Sequence, residues 1–430
     1  MKWRLPMDDY RPRIADAELE RKLVVGAVLI EGAKWCGKTS TAERQAKSIL
    51  YMDDPDKKEQ NIALAENSPT IALRGDTPRL IDEWQLVPKL WDAVRYEVDH
   101  RKADSQFILT GSAVPPITSD IHHTGSGRIA RLLMRPMSLF ESGESSGSVS
   151  LTDLFNSPRQ ISGQADLGLD ELAFLACRGG WPRAINYNDE RALTLAEAYY
   201  DGLVNSDIVR VDNVNRSPLT TKRIMRSYAR MLGQQTPYEQ IKSDVEAGEG
   251  ITISVDTIYD YINALRKIYV IEDAPSWNPN LRSKAAIRTT DTRYFVDPSI
   301  ATQAMKLKPA DLINDLNTFG FIYENLCIRD LRIYADAIGK EVAHYRDSNG
   351  VECDAVIRSD DGKYGLIQIK LGSHNEAIEQ AVNTLNSLEH IINYDKMPRP
   401  SFKMVLCGNC PYAYRREDGI YVVPIGCLKP

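Results

Sequence analysis

Two sets of residues in this chain have the types and spacing to do chemistry on phosphates. The first is Gly32-Ala33-Lys34-Trp35-Cys36-Gly37-Lys38-Thr39, which follows G-x-x-x-x-G-K-[ST], the loop that wraps the phosphates of a nucleotide. Its glycines let the backbone turn N–H groups inward, and a helix starting at the loop's end adds its positive pole. Lys38 would reach the β- and γ-phosphates and the Thr39 hydroxyl would hold Mg²⁺, so Gly32 to Thr39 together with Ser40 form the expected ATP-binding set. Downstream, Arg79-Leu80-Ile81-Asp82-Glu83 is a short apolar run closed by two acids. Asp82 would hold Mg²⁺ through water and Glu83 would polarise the attacking water. Thr110, in the Thr110-Gly111-Ser112 that closes Gln106–Leu109, is the candidate for contacting the γ-phosphate, and Ser112 reads equally well as part of an ordinary strand-to-loop turn.

The second set is Glu324, Glu352, Asp354, Gln368 and Lys370. Residues two apart on a strand share a face, which pairs Glu352 with Asp354 and Gln368 with Lys370. Carboxylates from Glu324 and Asp354 could hold a divalent metal, and the lysine would stabilise a phosphodiester under attack by water. A polar strand face turned to solvent is the alternative. The alternation of Ile367 and Ile369 weighs against it.

The elements needed to position the first set are in place. Val24–Ile30 reads as a strand before the loop and Ser40–Leu50 as a helix after it, with Ile49–Met52 a second strand ending at Asp53 and Asp54. Lys89–His100 reads as a helix and Ile129–Phe140 as strand-like. Arg128, flanked by Gly125 and Gly127 on one side of that stretch, is the arginine best placed to stabilise γ-phosphate charge on a neighbouring copy. A homo-oligomer is therefore expected. Glu141–Ser150 reads as a linker, and Leu151–Val211 as helical with a fixed turn at Gly179-Gly180-Trp181-Pro182. Pro218–Asp273 has the layout of a winged helix, its third helix starting at Ser254 with an apolar stripe of Ile258, Ile262 and Leu265. The outward Asp256 and Asp260 suit a structural or protein-docking module better than a DNA reader. The second set lies in an α/β stretch: a helix over Phe319–Tyr334, a hairpin turning at Asn349-Gly350, a strand at Lys363–Lys370, a helix at Asn375–Ile392, and last strands at Lys403–Cys407 and Ile420–Pro424.

Composition narrows the classes. With 430 residues, 43% hydrophobic and 26% charged, the chain is long enough for two to four globular domains. A net charge of −6 gives no global attraction to nucleic acid or to an anionic membrane, so any such binding needs a local patch. No apolar run approaches the roughly 20 residues that span a bilayer. Met1-Lys2-Trp3-Arg4 leads into Asp8 and Asp9 rather than into a signal-peptide core. Seven cysteines without a framework fit reduced thiols in a cytoplasm, and Cys407-Gly-Asn-Cys410 reads as a turn.

The phosphate loop, Leu80-Ile81-Asp82-Glu83, Leu109-Thr110-Gly111-Ser112, Gly179-Gly180-Trp181-Pro182 and Asp354…Gln368-x-Lys370 together resemble the prokaryotic AAA-type ATPases with a C-terminal domain of unknown function. The resemblance covers nearly the whole chain. It implies an α/β fold: a P-loop NTPase domain of the AAA type over 1–145, a helical winged-helix domain over 146–300, and a restriction-endonuclease-like domain over 301–430. The endonuclease pattern Asp…(Glu/Asp)-x-Lys falls on Asp354, Gln368 and Lys370. Gln368 departs from it, bringing an amide where a hard cation wants a charged oxygen. The expected function is Mg²⁺-dependent ATP hydrolysis acting on DNA through the C-terminal domain. The alternative is an ATP-gated switch that binds a protein or DNA partner without cutting.

Overall fold

The computed structural model describes residues 10–111, 125–280 and 287–430. The start of the chain before Tyr10 and the candidate Ser112 lie outside the described residues. Packing divides the chain into two compact units. One is Met1–Pro136 with Asn205–Arg216 and Ala264–Tyr269; the other is Met137–Val204, Ser217–Asn263 and Val270–Pro430.

The first unit runs α1 (Ile14–Lys22), β1 (Ala27–Glu31), α2 (Lys38–Gln45), β2 (Ser48–Tyr51), α3 (Lys58–Asn67), α4 (Pro69–Ala72), β3 (Arg79–Asp82), α5 (Lys89–Arg101), β4 (Phe107–Thr110) and β5 (Ile129–Leu133). Its five strands form one parallel sheet in the order β2-β3-β4-β1-β5. A parallel sheet covered on both faces needs strands that are apolar throughout, and alternate residues of these strands do enter different cores. Ala27, Leu29, Ile81, Phe107 and Leu109 pack with Trp91 and Val94 of α5, whereas Val28, Ile30, Leu80 and Ile108 pack with Leu19 of α1 and Ala42 of α2.

Three expected elements end elsewhere. The apolar run begins as a 3-10 turn at Leu23–Val25 with Val24 and Val25 exposed, and the strand starts only after Gly26 turns the chain at φ 115°. The helix expected over Ser40–Leu50 stops at Gln45, because Ala46 goes extended and Ser48–Tyr51 pairs with β3. Pairing within the sheet outweighs local helix preference here. The strand expected over Ile129–Phe140 stops at Leu133. Ser138 then caps a short helix by accepting from the Glu141 N–H, with the Glu141 side chain returning to the Ser138 N–H.

The second unit holds α6 (Leu139–Ser142), β6 (Val149–Ser150), α7 (Leu151–Leu154), β7 (Gly163–Gln164), α8 (Leu169–Arg178), α9 (Glu190–Gly202), α10 (Pro218–Arg230), α11 (Tyr238–Glu249) and α12 (Val255–Lys267), whose last turn packs with the first unit. It continues with α13 (Pro298–Met305), α14 (Pro309–Asn314), α15 (Leu316–Ala337), β8 (Glu341–Arg346), β9 (Glu352–Arg358), β10 (Tyr364–Gly372), α16 (Asn375–Ile391), β11 (Phe402–Asn409), β12 (Tyr412–Arg415), β13 (Tyr421–Pro424) and β14 (Leu428–Lys429). Ile258, Ile262 and Leu265 of α12 are buried, and Asp256 and Asp260 are exposed. An antiparallel ribbon follows α12, with Ile271 opposite Phe295 and Ala274 opposite Thr292.

The mixed sheet has the order β7-β12-β13-β11-β10-β9-β8. One of its faces packs Leu366, Val405 and Val422 against Ile378, Leu385 and Leu388 of α16. Two of the strands come from far upstream: β7 pairs with β12, and β6 pairs with β14 in a separate two-stranded sheet.

Gly179-Gly180-Trp181-Pro182 is the joint of this unit. The Gly180 N–H donates to Asp297 at 2.9 Å, and a Cβ on Gly180 would stand 2.1 Å from the Met137 carbonyl oxygen. Trp181 is buried, stacks on Tyr199 and donates to Ser299. Arg329, also buried, bridges Asp297 at 2.9 Å and Asp330 at 2.8 Å. Asp330 in turn accepts the Leu139 N–H. Each of these charges therefore has its partner, as buried charges require. All seven cysteines are free and buried. Among the described residues no helix is long and apolar enough to cross a membrane.

Candidate functional site

The phosphate loop leaves the C-terminal end of β1, the strand between β4 and β5. Gly32 has φ 142° and lies so close to the next segment that a Cβ would be 2.0 Å from the Met134 carbonyl oxygen. Ala33 and Cys36 are buried, Trp35 is exposed in a left-handed conformation, Gly37 is left-handed, and α2 begins at Lys38 with Ser40 exposed. Arg13, at the start of α1, is buried and ties the loop down. Its guanidinium donates to the Cys36 carbonyl at 2.6 Å and to the Arg135 carbonyl at 2.8 Å.

Lys38 is buried and donates to the carbonyls of Gly32 and Ala33, 2.8 Å each. Its ammonium thus lies over the loop's own backbone. Thr39 at the start of α2 and Thr110 at the end of β4 both donate to Asp82 Oδ1, at 3.0 and 2.6 Å. The register that sets Asp82 opposite Thr110 brings these two together. Burial pushes the Asp82 carboxyl above its usual range, and the two hydroxyls oppose that shift. Glu83 follows in a left-handed conformation (φ 56°), and its carboxyl is likewise raised by burial. The Gln85 amide holds it. Among the described residues the buried Gln85 side-chain carbonyl has no hydrogen-bond partner. Nothing in the sequence singled Gln85 out beyond its place two residues past the acid.

This donor set fits Mg²⁺. A hydroxyl and a carboxylate already share one point, and Mg²⁺ takes few protein ligands, keeping water and phosphate oxygens for the rest. Among the described residues no group of three or more His, Cys, Asp or Glu is gathered to hold a metal without such help.

Arg128 is not part of this group. It precedes β5, whose Ile129 pairs with Ala27 at the start of β1, the end of the sheet away from the loop. There it pairs with Asp99 of α5 at 2.8 Å.

The second candidate set is brought together but differently held. The antiparallel register of β9 and β10, with Ile367 opposite Ala355, sets Gln368 beside Asp354. Asp354 accepts the Ile369 N–H at 2.7 Å, and burial pushes its carboxyl up to about 6. Gln368 is buried, and its amide donates to the Glu352 carbonyl at 2.9 Å. Glu324 on α15 accepts from the Tyr294 hydroxyl, and burial followed by the charge of Asp354 pushes it well above its usual range. The turn after α10 closes on it, since a Cβ on Gly233 would be 3.0 Å from Glu324 Oε1. Arg346 bridges Glu352 at 3.2 Å and Gln235 at 3.2 Å. Lys370 is partly exposed. Glu324 and Asp354 are half-buried, and the Gln368 amide N–H is committed to a backbone carbonyl. The metal-ligand role of Glu324 and Asp354 rests on the sequence pattern, and no cleavage step is derived through it.

Among known protein families, the AAA domain family matches residues 25–142, which supports an AAA-type P-loop domain over this stretch. Two domains of unknown function, DUF8612 and DUF4143, match residues 169–311 and 319–428. The uncharacterized proteins Mb2031c of Mycobacterium bovis and Rv2008c of Mycobacterium tuberculosis are each 21% identical over 358 residues, covering 82% of this chain and 73% of theirs. Among solved structures, the Walker-type ATPase PabY2304 of Pyrococcus abyssi is similar over 69% of this chain and 97% of its own, at 16% identity and a TM-score of 0.42. A RuvB variant of Thermotoga maritima covers 62% of this chain and 93% of its own, at 18% identity and a TM-score of 0.27.

Proposed function

We propose that the chain is a Mg²⁺-dependent, AAA-type ATPase that engages DNA through its C-terminal α/β domain. The observation that carries the ATPase reading is the convergence of the Thr39 and Thr110 hydroxyls on Asp82 beside the buried Lys38. ATP phosphates would draw Lys38 from the carbonyls of Gly32 and Ala33, since a phosphate oxygen is a charged acceptor and a carbonyl is not. Mg²⁺ held by Thr39 and, through water, by Asp82 would supply neutralising charge for the β- and γ-phosphates. Glu83 orients the attacking water and takes its proton, a role suited to a carboxyl raised by burial. Thr110 ties Asp82 to the end of β4, where the γ-phosphate would lie. Arg128, at the far end of the sheet from its own loop, would act on the nucleotide of a neighbouring copy in a homo-oligomer.

The remaining assignments are a winged-helix domain over 146–300, supported by α10 to α12 and the ribbon after them, and an endonuclease-like domain over 301–430 in a cytoplasmic protein. A second reading has a specific observation in its favour. Gln368 is bound to the Glu352 carbonyl and Glu324 is covered by Tyr294 and Gly233, which suits an ATP-gated switch or scaffold that binds a DNA or protein partner without cutting it.

Nucleotide binding by calorimetry and phosphate release, measured on wild type, Lys38→Ala and Glu83→Gln, test the ATPase. Full turnover by Glu83→Gln would sink the assignment. DNA retention and cleavage, measured with and without ATP, separate the two readings of the C-terminal domain.

A further inference from the structure

Asn205–Arg216 and Ala264–Tyr269 pack with the first unit although they are distant from it in sequence. Both carry unusual backbone. Leu203–Asp207 is a π-helical turn, a rare form frequent at functional sites. Asp212 and Tyr269 are left-handed at φ 52° and 59°, and for an aromatic residue that is a true outlier. The two segments are joined by Lys267 donating to Asp212 at 2.6 Å.

Each segment holds one flank of the phosphate loop. The Tyr269 hydroxyl donates to Glu31 at 2.9 Å, the residue just before Gly32. The Asp207 carboxylate pairs with the ammonium of Lys34, two residues into the loop. The Lys34 side chain is 40% exposed and that of Asp207 only 15%. The carboxylate is therefore the more enclosed partner, and the lysine is the one with room to turn toward a ligand.

We propose that Asp207 competes with the phosphates of ATP for Lys34. It occupies the ammonium when the loop is empty and gives it up to the nucleotide, so that Asp207 sets the affinity of the site. The inference rests on the reading of the loop as the ATP site. The ion pair is weak enough to be exchanged, because a pair this exposed shifts an equilibrium by less than about tenfold. The phosphate chain offers Lys34 several charged oxygens in place of two. A purely structural Asp207 would do the opposite: its loss would loosen the loop and weaken ATP binding.

The test is a double-mutant cycle on the full chain in Glu83→Gln, which suppresses turnover, with the ATP Kd measured in Mg²⁺ by calorimetry. Asp207→Asn should bind ATP about two- to fivefold more tightly, the range for a pair of this exposure. Asp207→Glu, which keeps a carboxylate, should bind as the parent does. Lys34→Ala should bind more weakly, and adding Asp207→Asn to it should change nothing further. Competition is overturned if Asp207→Asn weakens binding or leaves it unchanged, or if it tightens binding equally with Lys34 absent, which would mark a general field of the carboxylate. Lys38→Ala separates this inference from the one beneath it. If that variant binds ATP normally, the loop is not the site and both fall; if it does not bind and Asp207→Asn fails to tighten, only the competition falls.

Discussion

Two clusters of acids with raised carboxyls differ in what satisfies the carboxylate oxygens. At Asp82 the partners are the hydroxyls of Thr39 and Thr110, groups that can turn and accept a cation in exchange. At Asp354 and Glu324 the partners are a backbone N–H within the sheet and the hydroxyl of Tyr294, with the turn at Gly233 closed over the second acid. Both clusters raise their carboxyls by burial. A raised carboxyl therefore does not tell a site for chemistry from a joint between elements. What tells them apart is whether the partner can leave without breaking the fold.

The largest effect that would break this comparison lies at the first cluster. Glu83→Gln should lower ATP turnover by about 10² to 10⁴ while leaving binding intact, as loss of a general base does. Phosphate release against calorimetric binding checks it.

At the second unit the largest expected effect is on stability. Burial holds His344 of β8 down at about 4, below its unfolded value, and among the described residues its Nδ1 has no hydrogen-bond partner. The folded state therefore resists taking up a proton. The stabilisation is complete above about pH 6.5 and falls by about 3 kcal/mol as pH drops to 4. Urea unfolding across that window, with His344→Gln as the variant that should flatten the slope, measures it.

Tyr294→Phe should cost about 1–3 kcal/mol, because it leaves Glu324 covered without its donor, and ATP turnover should stay as in wild type. Denaturation and phosphate release on one preparation show both. A variant as stable as wild type would mean that the Glu324 contact is not structural.

The smallest expected effect sharpens the contrast. Asp354→Ala should change DNA retention by less than about twofold, because phosphate contacts come from lysines and arginines. Neither wild type nor Gln368→Glu should cut linear or branched DNA in Mg²⁺ or Mn²⁺. Cleavage by wild type that disappears in Asp354→Ala would restore Asp354 to a catalytic role.

The first site was legible because its parts are local. Gly32 to Thr39 is continuous, and Asp82 and Thr110 each close an apolar strand, so order along the chain is enough to place them. Arg13, Asp207 and Tyr269 were not legible in that role: their contacts to the loop span long stretches of sequence and follow no spacing rule. The helices α10 to α12 and the strands of the C-terminal sheet could be read from periodicity. Two-residue strands such as β7 could not, because so short a strand carries no alternation. The Gly179–Pro182 turn could be read as fixed, but its reason, Asp297 and the Met137 carbonyl, lies elsewhere in the chain.

The pairing of β7 with β12 and of β6 with β14 also governs how the chain can be made. The seven-stranded sheet cannot close its β7 edge until Tyr412–Arg415 has been synthesised, roughly 250 residues after Gly163–Gln164. Until then β7 waits on the ribosome as an unpaired edge. A fragment beginning at residue 301 would lack β6, β7 and Gly180 together, leaving β12 with an open edge and Asp297 missing as well. Such a fragment should aggregate on expression.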